Sequence, residues 1–462
     1  MKTILRFCCA ALLLAVHTLA AALPQQLTSS MADADYADVR TDAAGSIHLV
    51  WTAYDATDGR ALFYKMLNSS GDVLIDAIRL DQGGTGGPAM FPSLAIDAAR
   101  KVYVVWQTGA SPEIYFLRLN PLAHDFSTTT ADIATIKETG DVMISGAGGD
   151  SALHPRVEMD NSTRLHVVWE SDCAGGKVQY AKLDADGNRL NGTPFDLGPA
   201  GSCNGYPDIA LDSNSNAHVV FSNAGATPAD EIYYAMIDGA AGTVLIDATL
   251  LTVDDGLLAG SATISINTVD NRAYLVYKQA VGSSGPGNEE IFIDTLDPSL
   301  DGQGGGVADP AVLRVKQQQF SNGQGGFWHV FSRIGQDRRL HILSMDFDAA
   351  VCTANSVNTI HHAHVTYGGK VLLRENLSTT TQSCAASVRL APRGDRIVWA
   401  DSASGNQEIF STTFTRADAG SSGFTCALQR APGRAANAAD LWLLLAGIAV
   451  LGLRVARRRQ AA

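Results

Sequence analysis

The chain has 462 residues, a formal net charge of −13 and a sequence pI near 5.2, with 44 glycines and 18% charged residues. A chain of this length can bury a large core, either as several domains or as one array of repeats. Binding to nucleic acid or to an anionic membrane surface depends on clustered lysines and arginines, and no such cluster precedes the last ten residues. The composition therefore argues against both as the main partner.

Residues 1–22 have the organisation of a secretory signal peptide. Lys2 and Arg6 come first, an apolar run occupies 7–16, and small residues at 20–22 fit a cleavage site. The run is too short to span a membrane. A lipoprotein signal needs a cysteine after the apolar run, but Cys8 and Cys9 do not follow it. We expect the chain to be exported and the mature protein to begin near residue 23.

The most informative feature of the mature chain is an internal repeat. In each copy a β-rich run ends in an aromatic residue, and successive aromatics lie 52 to 68 residues apart. These anchor residues are Trp51, Trp106, Trp169, Phe221, Tyr277, Phe331 and Trp399. We expect the four tryptophans among them to lie in the core between repeats.

Each copy reads as a four-stranded antiparallel meander with alternating apolar residues. In the first four copies an aspartate ends a first strand nine residues before the anchor, which itself ends the second strand. The third strands start at Ala61, Glu113, Lys177, Glu231, Glu290, Arg339 and Glu408. A fourth strand follows in several copies, as at Val73 and Val244.

A single meander cannot bury both of its faces, but copies stacked around an axis can. We therefore predict an all-β fold, a single β-propeller of seven four-stranded blades over residues 23–416. The last copy stops after its third strand, and residues 23–30 look like an orphan fourth strand. We expect this N-terminal strand to complete the seventh blade and close the ring. A β-helix or a pair of sandwiches are the alternatives.

The recurring pattern of Pro, an alternating apolar Ala-containing run, Asp, then His-Val-Val-Trp and Glu-Ile-Tyr-Tyr resembles bacterial sialidase-like (BNR-type) propeller proteins. The resemblance implies the fold far more than an activity. No intact Asp box of the Ser-x-Asp-x-Gly-x-Thr-Trp form occurs. Sialidases also hold a substrate carboxylate with three arginines, and Arg40, Arg156 and Arg389 lie on predicted first strands but in different columns of the repeat.

The candidate ligand-binding residues stand at the start of the first strands. Tyr36, Phe91, His154 and Tyr206 occupy one column, and Asp38, Ser93, Arg156 and Asp208 stand two positions later. First strands line the channel of a propeller, and an aromatic ring with mixed polar groups suits a sugar or a peptide. We predict a ligand site from Tyr36, Asp38, Phe91, His154, Arg156, Tyr206 and Asp208. The alternative places the aromatics between blades near the rim.

Other polar clusters have structural interpretations. The recurring glutamates at 113, 231, 290 and 408 start third strands and are expected to face a neighbouring blade or solvent. His361, His362 and His364 could bind a transition metal, but with no acidic partner nearby we expect a solvated loop or strand edge. The turns at 184–188 and 212–216 look calcium-like, yet lack the Glu of an EF-hand loop. We predict no metal site and no cofactor.

Five cysteines remain after the signal peptide. In an oxidising compartment Cys173 with Cys203, and Cys352 with Cys384, can pair, each closing a loop worth about 3 kcal/mol. Cys426 is then the odd one, a candidate for lipidation or transfer at the start of the C-terminal segment.

The C-terminal segment has three parts: a linker with Gly423 and Cys426 at 417–440, an apolar run at 441–453, and a terminal arginine cluster. We predict a single transmembrane helix with the arginines in the cytoplasm, residues 441–462 in all. The segment resembles the GlyGly-CTERM, MYXO-CTERM and JDVT-CTERM sorting signals, which implies cleavage by a membrane sorting protease. An ordinary single-span anchor is the alternative.

The leading functional interpretation is a non-enzymatic binding or adhesion propeller at the cell envelope or cell surface, with a glycan or protein ligand. The alternative is a sialidase-like glycoside hydrolase, which would need charged groups that converge in the channel. A purely structural envelope protein would show neither feature.

Overall fold

The computed structural model describes residues 25–29, 32–56, 59–81, 87–109, 111–146, 151–171, 177–190, 194–198, 204–224, 230–252, 257–282, 289–300, 306–320, 326–335, 337–347, 360–377, 386–390, 396–401 and 408–413. The signal peptide, the linker, the apolar C-terminal run, its arginine cluster and all the cysteines lie outside these residues, so the predictions about them stay predictions. Within the described ranges no helix is long and apolar enough to cross a membrane.

The described residues form seven four-stranded antiparallel sheets, the blades of a β-propeller. Blade 1 contains β2 (Ala32–Thr41), β3 (Ile47–Asp55), β4 (Gly59–Leu67) and β5 (Val73–Arg79), and blade 2 contains β6 (Met90–Ile96), β7 (Val102–Gln107), β8 (Ile114–Leu119) and β9 (Val142–Met143). Blade 3 contains β10 (Ala152–Met159), β11 (Leu165–Ser171), β12 (Lys177–Leu183) and β13 (Phe195–Leu197), and blade 4 contains β14 (Asn204–Leu211), β15 (Ala217–Ala224), β16 (Asp230–Ile237) and β17 (Val244–Leu250).

The remaining three blades follow the same order. Blade 5 contains β18 (Ala259–Asn267), β19 (Arg272–Ala280), β20 (Glu289–Leu296) and β21 (Arg314–Gln319), and blade 6 contains β22 (Gly326–Ile334), β23 (Leu340–Phe347), β24 (Ile360–Val365) and β25 (Val371–Asn376). Blade 7 contains β26 (Ala386–Leu390), β27 (Arg396–Asp401), β28 (Glu408–Thr413) and the N-terminal β1 (Gln25–Gln26). Short helical turns occupy Pro121–Ala123, Ile133–Ile136 and Pro310–Leu313.

The innermost strands of successive blades contact one another in chain order, and β26 contacts β2, which closes the ring. The hydrophobic core lies between the sheets, since each buried cluster combines apolar side chains of consecutive blades. The predicted core positions are confirmed, because Trp51, Trp106, Trp169 and Trp399 are at most 1% exposed. Burial on both faces explains why the second strands read as nearly continuous apolar runs.

The N-terminal strand completes the seventh blade, as predicted. Gln25 and Gln26 pair antiparallel with Ser411 and Phe410 of β28. The N–H of Leu27 donates to the carbonyl of Ile409 at 2.7 Å, and the N–H of Ile409 donates to Thr28 Oγ1 at 2.9 Å. The first and last ordered segments of the ring are therefore joined in one sheet.

The recurring glutamates have a structural role in three blades. Glu113, Glu231 and Glu408 each accept a hydrogen bond from a hydroxyl at the end of the fourth strand of the same blade. Those hydroxyls belong to Ser145, Thr252 and Thr28, which also accept the N–H of the residue after the glutamate. The glutamate thus fastens the outer strand to the third strand, and Thr28 performs this role from the N-terminal segment.

The sixth repeat is misaligned in the sequence-based prediction. The run that ends in Phe331 is the innermost strand β22 and not the second strand, and the run from Arg339 provides the second strand β23 and not the third. The third strand is β24, which contains the three histidines of the HHAH motif. The second strand was not recognised because Ser344 stands at the position of the anchor aromatic. The aromatic run of β22 resembles a second strand and was assigned in its place.

The histidine motif also corrects a prediction. His362 and His364 are 1% and 0% exposed within a sheet, where we expected a solvated loop or strand edge. Acidic partners are present, since Glu375 Oε1 lies 2.8 Å from His362 Nδ1 and Asp337 Oδ1 lies 3.0 Å from the nearby His341. Glu375 is 13 residues from His362 in sequence and reaches it through strand pairing, and Asp337 is 4 residues from His341 and reaches it across a hairpin turn.

Candidate ligand-binding site

The innermost strand of each of the first five blades contains a β-bulge near its start, where the register of pairing with the second strand shifts. One residue at each bulge has a positive φ of 46° to 52°. These residues are Tyr36, Phe91, His154, Tyr206 and Ser261. Positive φ is costly for non-glycine residues, and bulges re-aim side chains. The repeated bulge therefore explains why this column of the sequence meets at the channel.

The four ring side chains at these bulges contact one another in blade order. Ring centroids are 4.2 Å apart for Tyr36 and Phe91, 4.4 Å for Phe91 and His154, and 4.2 Å for His154 and Tyr206. We call these four residues the aromatic arc. Tyr206 is 42% exposed and the other three are partly exposed, so the arc presents ring surface to solvent.

The arc ends at blade 5, where Ser261 takes the aromatic position and leaves space. A cavity of about 260 Å³ opens there, bounded on one side by Tyr36, Phe91 and Tyr206 of the arc. Its lining includes Tyr36, Phe91, Tyr206, Ser261, Thr263, Phe331, Arg156, Arg389 and Asp208. Asp35 also lines the cavity, which therefore combines aromatic faces with two arginines and two aspartates.

Two arginines from distant blades contribute to this cavity. Arg156 projects from β10, and Arg389 projects from β26 with its guanidinium 5.2 Å from the ring centroid of Phe331. Burial, together with the charge of Arg156, lowers the pKa of Arg389 to about 9. An anion bound near both guanidinium groups would oppose the repulsion between them, as Asp38 and Asp208 already do in part.

The predicted aspartates hold the blades together. Asp38 Oδ2 accepts the N–H of Leu94 in blade 2 at 3.0 Å, and Asp208 Oδ2 accepts the N–H of Ile264 in blade 5 at 2.9 Å. Burial raises the pKa of Asp208. Asp208 lines both this cavity and the second one described next, whereas Asp38 lines only the second. The aspartates two residues after the arc residues thus form hydrogen bonds between blades in addition to lining the candidate site.

A second cavity of about 590 Å³ follows the innermost strands to the hairpin turns at Asp160 and Asp212, and it is lined by further charges. Glu158 Oε1 lies 2.7 Å from Arg40 Nη2 and 2.9 Å from Arg333 Nη2. Burial raises the pKa of Glu158 to about 7, with Asp208 and Asp38 adding to the effect and Arg40 opposing it. Arg40, Arg156 and Arg389 all line this cavity, so arginines from different columns of the repeat do share the channel.

His154 is held by groups that the sequence reasoning missed. Its Nδ1 lies 2.9 Å from Glu170 Oε2, and its backbone N–H donates to Gln107 Oε1 at 3.1 Å. Glu170 and Gln107 are 4% and 2% exposed. Both directly follow an anchor tryptophan, and the equivalent positions hold Thr52 and Ser222. A polar residue directly after each of the first four anchors was the available signal.

No family model and no curated protein matches this chain. Among solved structures, an ulvan lyase, which is a polysaccharide lyase, is similar over 84% of this chain and 96% of its own, with 10% sequence identity and a TM-score of 0.53. An oligogalacturonate lyase from Vibrio parahaemolyticus is similar over 84% and 93% of the two chains, with 11% identity and a TM-score of 0.50. Leech intramolecular trans-sialidase matches over 86% and 70%, with 10% identity and a TM-score of 0.43.

At such low identity the likeness to the two lyases concerns the fold alone. The chain is a seven-bladed β-propeller whose structural neighbours include enzymes that process glycans.

Proposed function

We propose that this protein binds carbohydrate chains that carry carboxylate or sulfate groups, at the mouth of the propeller channel. The observation that carries the proposal is the aromatic arc beside a cavity with two guanidinium groups, Arg156 and Arg389. Partly exposed aromatic rings provide flat apolar surface for sugar rings, and arginine forms paired hydrogen bonds with carboxylate and sulfate oxygens. The chain would act outside the cytoplasmic membrane, as its N-terminal signal predicts.

The solved structures are consistent with a ligand of this class. The ulvan lyase that resembles this chain was also solved bound to -[GlcA(1-4)Rha3S]-, which contains a uronic acid and a sulfated sugar. The shared fold does not transfer that ligand to this chain, but it shows that a propeller of this shape can accommodate one.

We expect Arg156→Ala to weaken binding of an acidic oligosaccharide by about 10- to 100-fold, because one hydrogen bond to a charged group contributes about 1.5–3 kcal/mol. Calorimetry with oligogalacturonate of defined length measures the dissociation constant. Tyr206→Ala should weaken the same ligand by removing ring surface. Added salt should weaken binding to the wild-type protein and less so to the Arg156 variant.

The matched controls for this experiment are Arg272→Ala, at the first residue of β19, and Tyr54→Ala, an aromatic residue that is 54% exposed. Both should bind as the wild type does. The proposal is wrong if a neutral oligosaccharide of the same length binds equally well, or if Arg156→Ala leaves the dissociation constant unchanged.

A second candidate function, cleavage of the bound chain, is favoured by one observation. His154 is oriented by Glu170, and its ring centroid lies 4.2 Å from that of Tyr206, which lines the cavity together with Arg156. Elimination from a uronate needs a base that removes the proton beside the carboxylate, a cation that stabilises the resulting charge, and an acid that protonates the leaving oxygen. His154, Arg156 and Tyr206 provide these three chemical types.

If elimination occurs, the product contains a new conjugated double bond that absorbs ultraviolet light. We expect His154→Ala to abolish the rise in absorbance even at ligand concentrations that calorimetry shows to saturate the variant. Absence of any absorbance change with bound acidic oligosaccharide would exclude the elimination and leave the binding proposal standing. Charged groups do converge in the channel, as a hydrolase would need, but Asp38 and Asp208 are both engaged by backbone N–H groups.

A further inference from the structure

Three blades share a buried arrangement of one aspartate, one histidine and one tyrosine. In each, histidine Nδ1 lies 2.7 to 2.8 Å from the tyrosine hydroxyl, and the aspartate stands in the preceding hairpin turn. The sets are Asp42, His48 and Tyr64 in blade 1, Asp160, His166 and Tyr180 in blade 3, and Asp212, His218 and Tyr234 in blade 4. Each histidine pairs in register with Met66, Lys182 or Met236 on the third strand.

Blade 6 has the same architecture with different residues. Asp337 contacts His341 as the other aspartates contact their histidines. His362 occupies the position that is tyrosine in the other blades. It pairs with Leu343, two residues after His341, just as Tyr64 pairs with Val50, two residues after His48. His364 stands opposite His341, in the place of Met66, Lys182 and Met236. Two replacements thus convert a structural triad into a cluster of three histidines.

The three histidines converge on one point between strands. Their ring nitrogens lie within 4.8 Å of one another, and His341 Nδ1 is 3.1 Å from His362 Nε2. Two nitrogens bound to one tetrahedral ion at 2.0–2.1 Å are separated by about 3.3 Å, so this spacing fits an ion with little movement. All three side chains are at most 1% exposed.

Outer carboxylates fix the rings in an orientation suited to a metal. Asp337 Oδ1 lies 3.0 Å from His341 Nε2, and Glu375 Oε1 lies 2.8 Å from His362 Nδ1. Each pair leaves the opposite ring nitrogen directed into the cluster, as in carboxylate–histidine–zinc arrangements.

We propose that blade 6 binds a divalent transition metal ion, with Zn²⁺ as the expected occupant, through His341 Nδ1, His362 Nε2 and a ring nitrogen of His364. Three imidazole ligands suit zinc, copper or nickel and do not suit calcium or magnesium. Among the described residues, the lining of the two channel cavities does not include these histidines. The site is therefore separate from the proposed glycan site and independent of it.

The position suggests what the ion does. His341 lies two residues before Leu343 on β23, and His362 lies two residues after Ile360 on β24, so these side chains share one face of the sheet. Leu343 and Ile360 pack with Trp399 of blade 7. A bound ion would therefore stiffen blade 6 on the face that packs against blade 7, which makes it a structural site.

The test uses the whole secreted protein, stripped with a chelator, dialysed and then loaded with Zn²⁺. We expect about one zinc per chain by elemental mass spectrometry and a higher thermal unfolding temperature with zinc than without. Loading with Co²⁺ should give the intense visible absorption of tetrahedral cobalt. The double variant His362→Tyr with His364→Met restores the residues of blades 1 and 4, so it should fold, and it should lose the zinc, the stabilisation and the cobalt spectrum.

Two further variants sharpen the result. Glu375→Gln keeps the three ligands and should weaken zinc binding by about 10- to 100-fold. His361→Ala changes the neighbouring residue, which contacts Asn376 and lies on the other face of β24, and it should bind zinc as the wild type does. The proposal is overturned if the wild type holds no zinc, if the double variant holds as much as the wild type, or if His361→Ala loses the ion.

Discussion

A variant with Leu27→Ala and Thr28→Val should lose about 5 kcal/mol of unfolding free energy at neutral pH. Leu27 is 4% exposed and packs in the cluster that joins blades 1 and 7. Removing a buried leucine side chain costs about 2–5 kcal/mol. Thr28 Oγ1 donates to Glu408, which is 2% exposed, and losing such a bond to a charged group adds about 1.5–3 kcal/mol.

Chemical denaturation followed by tryptophan fluorescence measures this loss. Ser145→Ala is the matched control, since it removes the equivalent hydroxyl from Glu113 within blade 2 and leaves the closing strand intact. Leu190→Ala, at a side chain that is 48% exposed, should change stability by less than about 0.5 kcal/mol. If the double variant unfolds within about 1 kcal/mol of the wild type, the N-terminal strand does not hold the ring together.

The blades could be predicted from sequence because their signal is local and repeated. The anchor aromatic, the alternating third strand and the intervening turns all fall within one copy, and six of the seven copies align as predicted. Ring closure could be predicted because the last copy lacks a fourth strand and an unassigned strand precedes the first copy. Leu27 and Thr28 carry the further signal of an apolar residue and a hydroxyl, shared with Ile144 and Ser145.

Blade 6 was misaligned because its second strand lacks the anchor aromatic that identifies this strand in the other copies. With Ser344 at the anchor position, the most similar run nearby was the aromatic part of β22 that contains Phe331. That shift hid the histidine cluster, because alignment of His341 with the histidines of blades 1, 3 and 4 depends on the correct register. Once the register is known, His362 and His364 stand out as departures from the repeat.

The candidate site was predictable in part for a physical reason. The arc residues occupy equivalent positions, so the rotational symmetry of the ring brings one column of the sequence together. Arg389 meets Arg156 across the channel from a different column, because side chains at different heights on different blades reach the same space. Glu170 reaches His154 from the second strand. Contacts of this kind depend on tertiary geometry that a repeat alignment does not contain.

Asp42 belongs to a buried network between blades 1 and 2. Its carboxylate accepts hydrogen bonds from the backbone N–H of Ser46 at 2.8 Å and from Arg100, and it lies 3.3 Å from His48 Nε2. Burial alone would raise its pKa, but these contacts with His48, Arg100 and Ser46 outweigh burial and hold the pKa of Asp42 well below its usual range. The folded protein therefore keeps the carboxylate ionised at pH values where the unfolded chain binds a proton.

Asp42→Asn should lower the unfolding free energy by about 3 kcal/mol at pH 7, because it leaves the charge of Arg100 without its buried counterpart. Since the unfolded chain binds the proton near pH 4, the stabilisation by Asp42 is present above that pH and is lost as the pH falls through the lower pKa of the folded state. The difference between variant and wild type should therefore shrink from pH 5 towards pH 2, in denaturation curves recorded at each pH. Asp132→Asn, at an exposed helix N-cap that asparagine can also serve, should behave as the wild type throughout. A difference that stays constant down to pH 2 would mean that shape, and not charge, is what Asp42 contributes.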